Sequence, residues 1–425
     1  MRDLALIIIL IGLGTITLMR PWIGVLALAV VGYMHPQGYA WGVARTLPAF
    51  EILIFLLTAS VLISPETRSV IFLKKRLSVL RDWRLILIGL LWLDFALTSY
   101  YSMIPAIAWY RFSEISKVFI SLTFTLLLID TREKLRYLII TIALSIALLA
   151  TKGGVWAILT GSFDRVYGPP GSHFYDNNHF AVLTVMNIPL LFLWLRQCHD
   201  RWIRLFVMVL SMLSVVSALT SWSRGGLIAL SVTAMLLVWH SKRKVLAVPF
   251  LLLGLFFAVG NLPDEWMQRM GTILRYESEG SAVSRMEVWE EGIRFVLHRP
   301  WVGFGPDGWF YAASQDWHSA YIEMLAENGF PGLLLWLSLL VGSIISLSWL
   351  HWRSSKSASL ELTWLADFSG MLRASLLSYA IGAALLGLSY WDILYQLLVI
   401  SALLSALAVP LLRQSEPADT SMSIG

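Results

Sequence analysis

Three arginines and one histidine in this sequence are suited by type and position to phosphate chemistry. Arg224, in "TSWSRGGLIAL", is the one charge between residues 205 and 239, and Arg165 and Arg285 lie in turn-rich or polar segments. Arginine forks bind phosphate oxygens bidentately and keep their charge. His318 follows "DW" at the start of a helix, where a neutral imidazole can accept a proton. The set predicts a pyrophosphate clamp beside a general base; solvated loop arginines and an interfacial histidine are the alternatives.

The segment after His318 predicts a short helix at the margin of a membrane. Residues 318–327 carry a helical pattern, and Asn328-Gly329 is a pair that ends helices. Pro331 then begins an apolar helix at a position where its missing N–H costs nothing. Tyr321 and Glu323 are candidate supporting residues. The glutamates Glu323 and Glu327 either orient the imidazole or face water, and the pattern favours water.

Arg224 interrupts a run of 35 residues that is too long for one membrane crossing. The chain must therefore turn, and Gly225-Gly226 supplies the predicted break. This places Arg224 at the end of two packed helices. A guanidinium near lipid is costly unless paired, which makes it a functional candidate, with snorkelling to headgroups as the alternative.

The composition is that of a polytopic helical membrane protein. Of 425 residues, 57% are hydrophobic and 14% are charged, far too few charges for a soluble surface of this size. The first apolar segment has no cleavage site and is expected to be a retained helix. The single Cys198 excludes an internal disulfide and a cysteine metal cluster.

The fold class is all-α, a bundle of about 12 (12–13) transmembrane helices. The expected spans are 3–19, 21–34, 48–64, 85–101, 115–130, 136–159, 179–195, 205–220, 226–240, 245–260, 330–350, 368–388 and 391–412.

The basic clusters give the expected orientation. Clusters at 68–84, 132–136, 196–204, 242–244 and 353–356 are separated by pairs of apolar segments, which places all five in the cytoplasm as orientation signals rather than nucleic-acid sites. Residues 35–47, 102–114, 160–178, 221–226 and 261–317 then lie outside, in the periplasm of a bacterial inner membrane. The amphipathic residues 104–114 are expected along the outer surface.

The longest polar segment, 261–317, predicts a helical periplasmic loop. It contains "SRMEVWEEGIRFVLHRP", in which Trp289, Gly292 and Val296 share one helical face and Pro300 ends the helix. Long ordered loops are usually functional. Residues 1–413 are expected to form a single transmembrane domain with this loop inserted, and 414–425 a disordered cytoplasmic tail.

The sequence gives little indication of a metal site. His173 and His179 lie near Asp176, but their spacing fits no strong ligand template. The segments expected outside contain no Asp-x-Asp motif. No metal and no cofactor is therefore predicted.

Four segments in their order resemble the O-antigen ligase and O-antigen polymerase superfamily of bacterial inner membranes. They are "DRVYGPPGSHFYDNNHFA", "SWSRGGLIAL", "SRMEVWEEGIRFVLHRPWVGFGPDGWF" and "HSAYIEMLAENGFPGLLLWL", within residues 150–350. The segment "PWIGVLALAVVGYMHPQGYAWG" resembles the exosortase-associated O-glycosylation ligase subgroup. In one departure from the family, Ser319 follows His318 where Asn is common.

The resemblance implies transfer of a glycan from undecaprenyl pyrophosphate to an acceptor hydroxyl on lipid A core, a polysaccharide or a protein. In that enzyme His318 would be the base, and Arg224 and Arg285, with Arg165, the pyrophosphate clamp. A polymerase of the same superfamily and a lipid-linked glycan flippase are the alternatives. A flippase usually shows two related halves, and the sequence shows no internal repeat.

Overall fold

A computed structural model describes residues 2–68, 79–240, 262–273, 280–356 and 360–414. These residues form helices and turns, and no strand occurs among them. Shorter helical turns span Pro36–Tyr39, Val43–Thr46, Pro65–Arg68, Val79–Arg81 and Trp309–Ala312. The fourteen longer helices in these ranges are α1 (Arg2–Met19), α2 (Pro21–Met34), α3 (Ala49–Ile63), α4 (Trp83–Tyr100), α5 (Pro105–Leu128), α6 (Arg132–Leu159), α7 (Asn177–Gln197), α8 (Arg201–Leu219), α9 (Arg224–His240), α10 (Asp264–Gly271), α11 (Gly280–Val296), α12 (Ala320–Lys356), α13 (Leu360–Ala383) and α14 (Asp392–Gln414).

The helices confirm an all-α polytopic membrane bundle. Seven of them, α1, α4, α6, α7, α8, α12 and α14, are long and apolar enough to cross a membrane, and α2, α3 and α9 are shorter apolar helices. With the 24-residue helices α5 and α13, they account for twelve of the thirteen predicted segments. The remaining predicted segment, 245–260, lies outside the described residues, as do residues 415–425 of the predicted tail.

The centre of the bundle is built from α7 and α14. In each of them 72% of the most apolar 18-residue stretch is buried inside the bundle, compared with 17% in α1. Helix α7 packs against α6, α8, α9 and α13, whereas α14 packs mainly against α13, α5 and α12. One buried apolar cluster extends from α2 to α14. The outer helices keep apolar faces exposed, as expected where lipid replaces water.

Two details near the N-terminal half are settled by backbone geometry. Arg20 is extended (φ −140°, ψ 94°), so α1 and α2 are separate helices and Pro21 begins the second one. Residues 105–114, most of the segment expected along the outer surface, are the first turns of α5 and continue without a break into its apolar part. The buried stripe that starts at Ala108 continues through Ile115 to Phe119, so one face of one helix serves both parts.

The segments predicted to share one face of the membrane lie together at one end of the bundle, called the site end here. The contacts that join them are those of Trp222 with Ser162, Ser102 with Phe304, Gly38 with Pro170, and Arg269 with Trp222. At the opposite end, the basic residue Arg196 pairs with Asp367 at 2.8 Å. The end that carries Arg132, Arg196 and Arg353 of the predicted basic clusters, called the basic end here, therefore lies opposite the site end.

The polar loop folds onto the site end through two helices. In α11, Trp289 contacts Trp317, Gly292 packs against the Trp317 ring and Val296 is buried, which confirms the predicted stripe. A turn follows Val296, and Pro300 lies just after it. Helix α12 is interrupted at Gly329, and residues 300–305 run beside this break, since Gly305 N donates to the Glu327 carbonyl at 2.8 Å.

Candidate active site

The α8–α9 turn forms the floor of the site. The expected break at Gly225-Gly226 is wrong by a few residues, because the turn occupies residues 220–223 and both glycines lie inside α9. Gly226 is needed for packing, since a Cβ there would lie 2.7 Å from Ala181 on α7. Trp222 has a left-handed backbone (φ 61°), which is uncommon for a bulky residue and frequent at functional sites.

Helix α10 lies across this turn. Trp266 is buried and its indole donates to the carbonyl of Leu219 at 2.9 Å. Arg269, one turn further along, donates from Nε to the carbonyl of Trp222 at 3.1 Å. The position of α10 therefore depends on two hydrogen bonds to carbonyl groups around the end of α8.

Arg224, the first residue of α9, is placed beside α10. Its Nη1 donates to the hydroxyl of Thr272 at 3.1 Å, and that hydroxyl donates to the carbonyl of Arg269 at 2.8 Å. The Arg224 side chain is half-buried and lies within electrostatic range of Arg285 on α11. Arg285 lies in the second turn of α11.

The three predicted arginines are connected through Arg269, which the sequence analysis did not single out. Burial lowers the pKa of Arg269, and the positive charges of Arg165 and Arg224 lower it further. Burial and the charge of Arg269 lower the pKa of Arg285 in the same way, with Asp316 opposing the shift. Arginine side chains in general carry a positive charge near neutral pH because their ordinary pKa is so high. This arginine cluster (Arg165, Arg224, Arg269 and Arg285) therefore concentrates positive charge where an anion would be stabilised.

His318 lies at the edge of this cluster, two residues before α12 begins at Ala320. Its backbone is left-handed (φ 49°) and its side chain is half-buried. Burial lowers the pKa of His318, Asp316 opposes this effect, and the charges of Arg285 and His179 lower the pKa further. The imidazole is therefore neutral at pH 7 and available as a proton acceptor. The predicted helix at 318–327 is confirmed, although it begins at Ala320 and breaks at Gly329 (φ 66°).

The expectation that Glu323 and Glu327 face water is wrong, since both carboxylates are buried. Glu327 is 0% exposed, and its Oε1 accepts a hydrogen bond from the indole of Trp317 at 3.0 Å. Its Oε2 accepts from the amide of Asp307 at 2.9 Å and from the hydroxyl of Tyr390 at 2.8 Å. A buried carboxylate is tolerated when its oxygens are satisfied in this way. Glu327 thereby ties the polar loop to α12.

Glu323 is held by the connection between α13 and α14. Its Oε2 accepts from the backbone amide of Ser389 at 2.9 Å. A Cβ built on Gly387 would lie 3.1–3.2 Å from the Asp316 carboxylate and 3.2 Å from Glu323 Oε1, so both acids face this glycine. Tyr321, the other candidate supporting residue, donates from its hydroxyl to the Ala380 carbonyl at 2.9 Å and therefore anchors α12 to α13.

The histidines near Asp176 complete the rim. Asp176 caps α7 by accepting from the amides of Asn178 and His179, and the His179 ring lies 3.3 Å from the His173 carbonyl. Burial lowers the pKa of His173 to about 4, and Arg111 contributes in the same direction. Within the described ranges, no three His, Cys, Asp or Glu side chains are grouped as metal ligands would be. A cavity of about 140 Å³ beside His179 is also lined by Arg111 and Tyr390.

The fold and the site together define a multi-pass membrane protein with a cation-rich site at one end. Residues 209–337 match the family model described as O-Antigen ligase, and residues 1–200 match a family of unknown function (DUF5935). No curated protein matches the chain. The first match contains Arg224, Arg269, Arg285 and His318, whereas Arg165 lies in the second. The O-Antigen ligase match supports the O-antigen ligase superfamily and a glycan ligase- or polymerase-type membrane function.

Proposed function

We propose that the protein is a glycan ligase of the bacterial inner membrane. It transfers an oligosaccharide or polysaccharide from undecaprenyl pyrophosphate to an acceptor hydroxyl, on lipid A core, a polysaccharide or a protein. The site end faces the periplasm in this proposal, because the positive-inside rule assigns the basic end to the cytoplasm. The observation that carries the proposal is the grouping of Arg224 and Arg269 around Thr272 and Trp222, with Arg165 and Arg285 within electrostatic range and the half-buried His318 beside Arg285.

The arginine cluster has the chemistry that a pyrophosphate leaving group requires. Negative charge grows on the bridging oxygen as the sugar–phosphate bond breaks, and pre-positioned cations lower the energy of that transition state. Arg224 and Arg285 would contact the diphosphate, with Arg269 and Arg165 beside them. Arginine suits this role because its fork stays charged and binds phosphate oxygens in pairs.

His318 would take the proton of the acceptor. The acceptor oxygen bonds to the anomeric carbon, the bond from that carbon to the phosphate oxygen breaks, and undecaprenyl pyrophosphate leaves with the electron pair. The hydroxyl proton passes to the neutral imidazole during the attack. A single displacement of this kind inverts the anomeric centre. The supporting role of Glu323 is indirect, since its carboxylate is held by Ser389.

The test is glycan transfer by purified protein in detergent with undecaprenyl-pyrophosphate donor and a candidate acceptor. Glycan transfer in detergent, where no membrane separates two compartments, supports an enzyme. A flippase would form no glycosylated product under these conditions. We expect Arg285→Ala to lower the rate about 10²–10³-fold, the usual cost of losing one transition-state donor. Arg294→Ala is the matched control, because Arg294 lies on the same helix, is 68% exposed and pairs with Glu290. Near-normal transfer by Arg285→Ala overturns the clamp.

Two further measurements address the metal and the acceptor. Activity is expected to survive EDTA, and restoration of lost activity by one divalent metal would contradict a metal-independent displacement. Mass spectrometry of envelope glycoconjugates from a deletion strain separates a ligase from a polymerase. Lost attachment with intact polymer indicates a ligase, whereas loss of chain length indicates the polymerase alternative that the family match also accommodates.

A further inference from the structure

A large cavity at the site end is formed entirely by the part of the chain that matches the family of unknown function. Its volume is about 610 Å³. Its walls come from the start of α1, the turns at 38–41, the last turns of α6 and the loop at 165–175. Its residues include Arg2, Tyr39, Trp41, Lys152, Trp156 and Arg165. Because Arg165 also belongs to the arginine cluster, the cavity adjoins the candidate active site.

Two cations in this cavity are stacked on aromatic rings. The guanidinium of Arg2 lies 4.4 Å from the ring centre of Trp41, and the ammonium of Lys152 lies 4.2 Å from that of Tyr39. Neither cation forms an ion pair with a carboxylate among the described residues. The neighbouring Asp3 is turned towards the backbone, where its Oδ1 accepts from the amide of Trp41 at 3.0 Å. The described residues that line the cavity therefore include positive charges and no acidic side chain.

Lys152 lies two turns before the end of α6. It precedes the end of α6 at Leu159 by seven residues, about 10 Å along the axis. Helix α6 has 28 residues, about 42 Å, whereas the apolar core of a bilayer is about 30 Å thick, so the last turns of α6 reach the headgroup region. The apolar side chains of Leu149, Val155 and Leu159 line the same cavity, and Leu159 is 78% exposed. Positive charge and an apolar wall, called the floor of the cavity here, thus lie side by side.

We propose that this cavity binds a lipid with an acidic headgroup, separately from the donor pyrophosphate. Arg2 and Lys152 would contact the phosphate or carboxylate of the headgroup, and the apolar floor would contact its chain. A soluble anion would use the cations but not the floor, and a neutral lipid would use the floor but not the cations. The same chemistry is offered by an acidic bilayer phospholipid and by an acidic acceptor lipid, and the experiment separates these two sources.

The binding test uses the full chain in nanodiscs that mix phosphatidylglycerol with phosphatidylcholine. Native mass spectrometry then measures which lipid stays bound. The wild type is expected to retain phosphatidylglycerol preferentially. Lys152→Gln should lower this preference about fivefold, and the Arg2→Gln/Lys152→Gln pair roughly 25-fold, the size expected for one and two basic residues at an anionic surface.

Three controls keep the binding test decisive. Lys152→Arg keeps the charge and should keep the preference for phosphatidylglycerol. This result would show that Lys152→Gln acts through loss of charge and not through loss of folding. Arg45→Gln removes an exposed charge from the same end, outside the cavity lining, and should change nothing. Arg224→Ala should retain the lipid even where transfer is lost, so failure of this site and failure of the proposed ligase are distinguishable. Equal retention of both lipids by the wild type, or an unchanged preference in the double variant, overturns the proposal.

Titrating phosphatidylglycerol into a transfer assay identifies the source of the lipid. Inhibition that is competitive with the acceptor indicates that the cavity takes an acidic acceptor lipid. Stimulation, or no change while the lipid stays bound, indicates that a bilayer phospholipid occupies it. In either case the part of the chain matched to a family of unknown function gains a binding role of its own.

Discussion

The indole of Trp289 donates a hydrogen bond of 2.7 Å to the backbone carbonyl of Trp317. This bond joins the helix that carries Arg285 to the residue that precedes His318. The relative position of a candidate clamp residue and the candidate base is therefore set by a contact between two tryptophans, and by the packing of Trp317 against Gly292. Such supporting contacts matter because small displacements of reacting groups are costly in rate.

Trp289→Phe is expected to lower transfer about tenfold while leaving the fold intact. The substitution keeps an aromatic ring but removes the indole N–H that donates to the Trp317 carbonyl. A hydrogen bond of this kind contributes roughly 0.5–1.5 kcal/mol. Transfer rate and thermal unfolding in detergent measure the two effects separately. Trp301→Phe is the control, since Trp301 is 74% exposed. Equal effects of both substitutions would show that the Trp289–Trp317 bond does not position the site.

The pH dependence of transfer should report His318. Only the neutral imidazole accepts a proton, so the rate rises with pH through the pKa of His318 and levels off above it. Burial and the charge of Arg285 lower that pKa below 6.5, so the midpoint of the acid limb is expected below pH 6.5. Arg285→Gln should move the midpoint of the residual activity to higher pH, and Asp316→Asn to lower pH. A midpoint above 6.5 in the wild type, or shifts in the reverse directions, contradict this assignment.

Arg269 is expected to contribute to pyrophosphate binding. Arg269→Gln removes one charge from the cluster and the hydrogen bond to Trp222. Affinity for undecaprenyl pyrophosphate should fall roughly 10–100-fold, as expected for a hydrogen bond to a charged group. Arg269→Lys should recover part of the loss, because it restores charge without the fork. If Arg269→Gln binds the lipid as tightly as Arg294→Gln does, Arg269 has no part in the clamp.

The helix positions could be predicted from the sequence, and so could the location of Arg165, Arg224 and Arg285 at one end of the bundle, because both follow from local pattern. Arg224 interrupts a long apolar run, His318 precedes a short helical pattern, and the stripe of Trp289 predicts how α11 packs. Arg269 was missed because its position follows from the docking of Trp266 on the carbonyl of Leu219, a contact across 47 residues. No period or motif in the sequence encodes that contact.

The burial of Glu323 and Glu327 could not be predicted for a related reason. Two glutamates four residues apart look like the solvated face of a helix. Their partners are the amide of Ser389 and the hydroxyl of Tyr390, more than 60 residues further along the chain. The turn at residues 220–223 was misplaced because glycines usually mark turns, whereas Gly226 here is required by close packing against α7.

Glu327→Gln is expected to destabilise the protein by about 1–3 kcal/mol. The carboxylate accepts three hydrogen bonds, and an amide would present a donor to groups that already donate. Thermal unfolding in detergent measures the effect, with the 72% exposed Glu290→Gln as the control. If Glu327→Gln keeps full stability yet loses transfer, the carboxylate acts in the chemistry and not as a structural anchor.

Single-turnover transfer by His318→Ala, with donor binding measured in the same sample, tests the central claim most directly. The account predicts a rate at least 10²-fold below the wild type, the low end of what a general base contributes. Binding of undecaprenyl-pyrophosphate donor should be unchanged, because the arginine cluster is intact. Transfer within a few-fold of the wild type, at equal donor occupancy, would contradict the assignment of His318 as the base.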